Sequence, residues 1–365
     1  MPKALLQLKK KLMNKIKSEN IELGKARIQS LLKYAQEHKT KATIQIINSF
    51  LPFIGIWVLM YFSLEYSYWL TFGLGILNAF FLVRIFIIQH DCGHQSFVKN
   101  RKAQKIIGYA CSYFSTIPFN YWSKSHNVHH KMNGQLELRD IGDVTTYTVA
   151  EFQELSKGKR LAYRIYRSPI VMFLIGPIYY VFIHNRLAKI KLPSFKSAKK
   201  GVIINNLLLL AMFSILGFSL GWAKFLLVHL TILVLFSIIA IWFFYVQHQH
   251  EHGYKQWKKN WDYVTSALRG STYYKIPPVF NWLTGNIGIH HVHHLNPLIP
   301  NYNLKKCIKE NPWLNQFPTI IGFRESLTLA SNKLWDETTQ RMISFREYYM
   351  MEKKGLIPVY VKAKD

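Results

Sequence analysis

The sequence predicts an all-α integral membrane protein: four transmembrane helices in two hairpins, plus interfacial helices and a cytoplasmic, histidine-rich helical cap. Three observations predict it: four long apolar runs, a strongly one-sided distribution of lysine and arginine, and histidines concentrated in a few tight clusters. At 365 residues the chain could be two soluble domains or one membrane domain, and the apolar runs favour the second.

The runs are 43–64, 68–89, 202–222 and 225–246. At 1.5 Å per residue each is long enough to cross a hydrocarbon core of about 30 Å. Ile106 to Tyr121, with Pro118, and Pro169 to His184, broken by Gly176 and Pro177, are shorter and are placed at the interface. The segments on either side are a basic N-terminal arm, 1–42, and a C-terminal region, 305–365, with the body of the domain at 43–304. Lysines every few residues as far as Lys41 suggest an amphipathic helix on the inner leaflet or a solvated charged helix. The opening residues lack the apolar core and cleavage site of a signal peptide.

Charge sets the orientation. The first 41 residues hold 11 Lys/Arg against three Glu, Lys99 to Lys105 adds four basic residues and Arg186 to Lys200 six. The loops on the other face carry only Glu65 and Lys224. The positive-inside rule therefore puts both termini and the histidine clusters in the cytoplasm, and a bacterial cell membrane suits the chain. The formal net charge of +28 fits a basic face against anionic lipid. Nucleic acid is the rival partner for a pI of 9.9, but no recognition motif accompanies the lysines. Cys92, Cys111 and Cys307 form no C-x-x-C pair, so neither disulfides nor an iron–sulfur site is expected.

The clusters are His90-Asp-Cys-Gly-His94, His126-Asn-Val-His129-His130 and His290-His-Val-His293-His294. On a helix, spacings of three and four put side chains on one face, so each cluster aims two or three imidazoles at one point. Chance would supply H-x-x-H-H roughly 0.03 times per chain of this composition, and it occurs twice. A metal site follows. All clusters must share one side, so an even number of crossings separates them, which is why the two short segments do not cross. The fourth run ends in His248-Gln-His250-Glu-His252. His248 is read as a ninth ligand and His252 as an alternative, while His250 and the spacer His291 point elsewhere. His38, His184 and His229 are read as packing residues.

Eight or nine imidazoles exceed what one ion binds, so two metals are implied. No H-E-x-x-H helix supplies a hydrolytic base. Redox work on lipid fits a cluster at the membrane surface, and it requires a metal that changes oxidation state, which points to iron. Asp91, Asp140, Asp143 and Glu251 are candidates to orient the imidazoles, and Asn286 and Asn296 to reach bound water.

These residues carry a resemblance. His90-Asp-Cys-Gly-His94-Gln-Ser-Phe, His126-Asn-Val-His129-His130, Tyr245-Val-Gln-His248-Gln and Thr284-Gly-Asn-Ile-Gly-Ile-His290-His-Val-His293-His294-Leu-Asn-Pro-Leu-Ile-Pro-Asn-Tyr-Asn-Leu resemble the integral-membrane fatty acid desaturases, the bacterial acyl-lipid kind most closely. The resemblance implies a non-haem di-iron centre that uses O2 and two external electrons to place a cis double bond in an acyl chain of membrane lipid. It implies the eight cluster histidines as iron ligands, with His248 matching the family's extra histidine. The His-Pro-Gly-Gly loop of a fused cytochrome b5 domain is absent, so electrons are expected from a ferredoxin- or flavodoxin-like carrier. A related lipid or carotenoid hydroxylase or ketolase, and a non-catalytic metal-binding or transport protein, are the alternatives.

Overall fold

The computed structural model describes residues 25–357. Residues 1–24, most of the basic arm whose amphipathic character the sequence suggests, lie outside the described residues. Among the described residues four helices are long and apolar enough to cross a membrane: Lys39–Ser63, Tyr68–His94, Lys196–Leu220 and Trp222–His248. They form two hairpins. Leu64 to Ser67 turn the first, where the Ser67 side chain accepts from the Trp69 backbone N–H to start the second span. The second hairpin turns at Gly221 alone, whose φ of +83° is open chiefly to glycine.

The second span is the centre of the molecule. It packs against the first span, the fourth span and the helix Arg101–Ser115, and Leu82, Ile85 and Ile88 are wholly buried. The outer faces of the first and third spans expose Leu51, Leu59, Leu207, Leu210 and Phe218, as lipid-facing helices should.

Ile106 to Tyr121 does not form one helix. Arg101–Ser115, capped by Asn100, ends at Thr116 in the left-handed region, and Phe119–Met132 starts after Pro118. Pro169 to His184 is not interrupted at Gly176-Pro177, as the sequence suggests, but stays helical over 169–182; the break lies upstream, where Lys157–Tyr166 and Val171–Arg186 are bent by 54° relative to each other. A π-helical turn, Val171–Ile175, leads into Gly176, where any Cβ would strike the Val171 carbonyl at 2.7 Å.

The described part of the arm does not lie free on a surface. Leu31 and Tyr34 are buried among Ala267, Leu268, Leu304 and Ile308, and the Tyr34 hydroxyl donates to Glu310 at 2.6 Å. The four short strands among the described residues were not expected. Tyr273–Lys275 pairs in parallel with Ile320–Gly322, and Leu334–Asp336 pairs antiparallel with Arg341–Ile343. The second pair is joined to the body through Arg167, a buried guanidinium that donates to Asn332 O and to Gln249 Oε1.

Candidate metal centre

Each histidine cluster rides on an element that the membrane spans hold in place. The second span does not stop at Gln89, as hydropathy suggests, but continues to His94. Box one is thus the last turn of a span, with His90 and His94 rings 4.7 Å apart. His248 is likewise the final residue of the fourth span. Box two lies on Phe119–Met132, and box three on the short helix His290–Leu295. Box two approaches box one closely because residue 93 is glycine; a Cβ there would meet the Ser123 hydroxyl at 2.6 Å.

The rings converge into two groups. His90, His94, His126, His130 and His293 each place a ring nitrogen within 4.8 Å of the others', and so do His129, His248 and His294. His290 joins the second group: its Nε2 lies 2.9 Å from that of His248 and 3.1 Å from that of His294. The nine histidines therefore divide five and four. His252 is not among them but stands exposed on the surface, because the span's helix ends at His248 and the chain leaves in a turn. His291 faces the Tyr273 ring instead, and His250 is buried elsewhere, beside Gly253. His229 sits between Phe213 and Phe225, and His184 stacks on Tyr180.

The donor set fits a pair of cations. Nε2 of His248 faces the Nε2 atoms of both His129, at 3.2 Å, and His290. A neutral imidazole nitrogen either donates one proton or accepts, so it cannot satisfy such converging contacts by hydrogen bonds alone. The buried Nε2 atoms of His90 and His94, which belong to the converging five-ring group, have no hydrogen-bond partner and so are available to an ion. Burial and the neighbouring rings hold His126, His130, His290, His293 and His294 well below the usual imidazole range. Burial likewise lowers His129 to about 4, against an opposing pull from Asp143. Neutral imidazole is the form that ligates.

Of the four carboxylates that the sequence offered as orienting groups, Asp91 touches a ring: its Oδ1 is 2.9 Å from His90 Nδ1. Asp140 accepts instead from Thr145, and Glu251 pairs with Arg341 at the surface. Asp143 accepts from the Val144 N–H and acts on His129 only through space. Asn296 accepts from the Leu298 N–H and Asn286 reaches the Asn301 carbonyl, so neither points at the cluster. Asn301 is the partner that sequence reasoning missed, since it holds Asp91 from 210 positions away. Nothing local marks it.

On the membrane side the cluster rests on aromatics. Trp122 stacks on His126 at 4.6 Å, Phe86 packs on Trp122, and Phe244 covers His129 and His248.

The family model for fatty acid desaturases matches residues 67–313, two thirds of the chain and all three boxes. The chain belongs to the fatty acid desaturase family. A fatty acid desaturase of Bacillus subtilis is 41% identical over 317 residues, covering 86% of this chain and 88% of its own. A Synechocystis protein named sn-1 oleoyl-lipid 12-desaturase is 26% identical over 71% of this chain and 72% of its own. A Nostoc protein named sn-1 acyl-lipid omega-3 desaturase (ferredoxin) is 30% identical over 61% and 62% respectively. As a fatty acid desaturase this protein is an oxidoreductase, and its histidine clusters are compatible with metal binding.

Proposed function

We propose that this desaturase works on acyl chains of membrane lipid and introduces a cis double bond at a di-iron centre. His90, His94, His126, His130 and His293 would hold one iron, and His129, His248, His290 and His294 the other. The observation that carries the reading is the five-and-four division of inward nitrogens directly above an aromatic floor between lipid-facing spans. The metal pair supplies, when bound, the redox chemistry in which O2, two electrons and two protons take two hydrogens from adjacent methylenes and leave one double bond and two waters.

The protein's own residues do the positioning. Asp91 fixes the orientation of His90, and burial keeps the rings of His126, His129, His130, His290, His293 and His294 neutral for ligation. Phe86, Trp122 and Phe244 exclude water from the lipid side, where the acyl chain approaches. The electrons come from outside the chain, through a ferredoxin- or flavodoxin-like carrier drawn to the basic face; the Nostoc relative's name includes ferredoxin.

Orientation follows from charge. The basic segments Lys99–Lys105 and Arg186–Lys200 share the histidine side, and Glu65 and Lys224, paired at 2.9 Å, mark the other. We place the histidine side in the cytoplasm of a bacterial cell, with anionic lipid against it. The desaturase unit is taken as 43–304, with 1–42 and 305–365 flanking it on the cytoplasmic side.

Expression in a host without desaturases, followed by gas chromatography and mass spectrometry of the lipid fatty acids, tests the reading. New monounsaturated chains are expected. Hydroxylated or keto products would move the protein to the hydroxylase alternative, and an unchanged profile with bound metal would favour a non-catalytic metal protein.

A further inference from the structure

Residues 272–289, between the fourth span and box three, run down into the membrane region and back. On the way down, the Thr272 N–H donates to Gln247 O, and Tyr274 packs on Phe243, five residues before His248, or about 7.5 Å below it. At the bottom, the helix Pro278–Leu283 sets Phe280 against Phe80 at 5.3 Å and Trp282 against Phe81 at 6.1 Å. Phe80 precedes His90 by ten residues, which is about 15 Å of helix. On the way up, Gly285, at φ +57°, sits so close to Ile87 that a Cβ would lie 2.7 Å from its side chain. The segment therefore tracks the fourth span inward and the second span outward, ending in His290.

The composition of the tip suits that depth. Non-helical backbone at membrane depth needs every donor satisfied or absent, and the lowest residues include Pro277 and Pro278, which have no N–H. Asn281 closes the turn from within, donating its side-chain amide to Ile276 O at 2.8 Å. Arg84, inside the second span, donates to Trp282 O and to Asn48 Oδ1 and lies 4.0 Å from the Trp282 ring. With these groups tied inward, Val279 (57%), Phe280 (39%) and Trp282 (41%) are left facing outward, as Ile76 and Leu77 do on the largely buried second span. Higher up, Lys275 and Arg324 are exposed beside the paired strands. Their long stems allow the charges to reach a phosphate layer.

We propose that this hairpin is a wedge inserted in the acyl-chain layer on the histidine side, and that lipid acyl chains enter the protein beside it. An apolar tip under a cationic rim is the chemistry of a phospholipid, and one continuous limb of the hairpin joins that tip to the third box. The insertion stands on the span geometry alone; the passage of substrate rests on the acyl-lipid desaturase reading.

Nitroxide labels at Val279→Cys, Leu77→Cys and Lys258→Cys, in full-length protein in phosphatidylcholine vesicles, separate the outcomes. The native cysteines are buried. Leu77 faces outward from the second span and Lys258 is exposed on the cap. Relaxation of the Val279 label by O2 should exceed that by a water-soluble nickel chelate, as at Leu77. A Val279 label that behaves like the Lys258 label overturns the insertion. Val279→Asp then tests the passage: turnover of lipid-borne chains should fall at least tenfold with metal content unchanged. Undiminished turnover with full metal content would overturn the passage, whereas an inactive parent protein would indict the desaturase reading instead.

Discussion

Asn301 donates twice to one carboxylate oxygen of Asp91, from its backbone N–H at 2.7 Å and from its side-chain amide at 2.8 Å. The other oxygen is thereby left to His90. The helix that follows box three thus steers a ring of box one.

Asn301→Ala should lower metal content measured on purified protein, through a loss of about 10–100-fold in affinity. Asp91→Asn should do the same more severely, since the amide offers a donor where His90 Nδ1 needs an acceptor. Full metal occupancy in both variants would show that His90 is held by something else.

The third box makes a sharp contrast between neighbours. His290→Ala should remove one ligand of the four-histidine group and abolish turnover. His291→Ala should retain metal and activity, losing only packing against Tyr273. The reverse result would mean that the box is read in the wrong register.

His248 and His252 separate in the same way. His248→Ala should release metal, because its Nε2 faces His129 and His290. His252→Ala, on the exposed turn, should leave metal content at the parent level, as read by elemental analysis.

Acid should loosen the metal-stripped protein over a defined window. His129 has a folded value lowered to about 4, against about 6.5 for a free imidazole. As pH falls below 6.5, the unfolded chain takes up a proton that the folded one resists, so stability is full above that pH and declines toward 4. One such group contributes about 3 kcal/mol, and His126, His130, His290, His293 and His294 shift in the same direction. Melting temperature of the stripped protein in detergent should be flat above pH 7 and drop steadily from 6.5 to 4.

Topology is open to single-cysteine labelling with an impermeant reagent added outside intact cells. Reporters at Glu65 and Lys224 should react, and those at Lys102, Lys189 and Lys259 should be protected until the membrane is opened. External labelling at Lys189 would mean that the bent pair Lys157–Tyr166 and Val171–Arg186 crosses the membrane.

The four spans were legible because an uninterrupted apolar run has few other uses, and the boxes because i, i+3 and i+4 spacing converts directly to a face. Boundaries were less so. Hydropathy ended the second span at Gln89, yet the helix continues through five polar or small residues to His94, held by the boxes it meets. The hairpin at 272–289 was not foreseen, since Ile276-Pro-Pro-Val-Phe280 is too short to carry a period, and its depth is set by Phe80 and Phe243. The same holds for Asn301 and for the pairing of Tyr273 with Ile320, contacts made across long stretches of chain.

The nine histidines come from four stretches of chain, the outermost pair separated by more than two hundred residues. Ions held among them would act as knots tied between distant loops, and each closure removes freedom that the open chain otherwise keeps. Ions that bind only the folded form also pull the folding equilibrium toward it. Stripping them should therefore unfasten the ends of the second and fourth helices from the two short helices above, so that metal supply would govern how long the polypeptide survives as well as how fast it turns over.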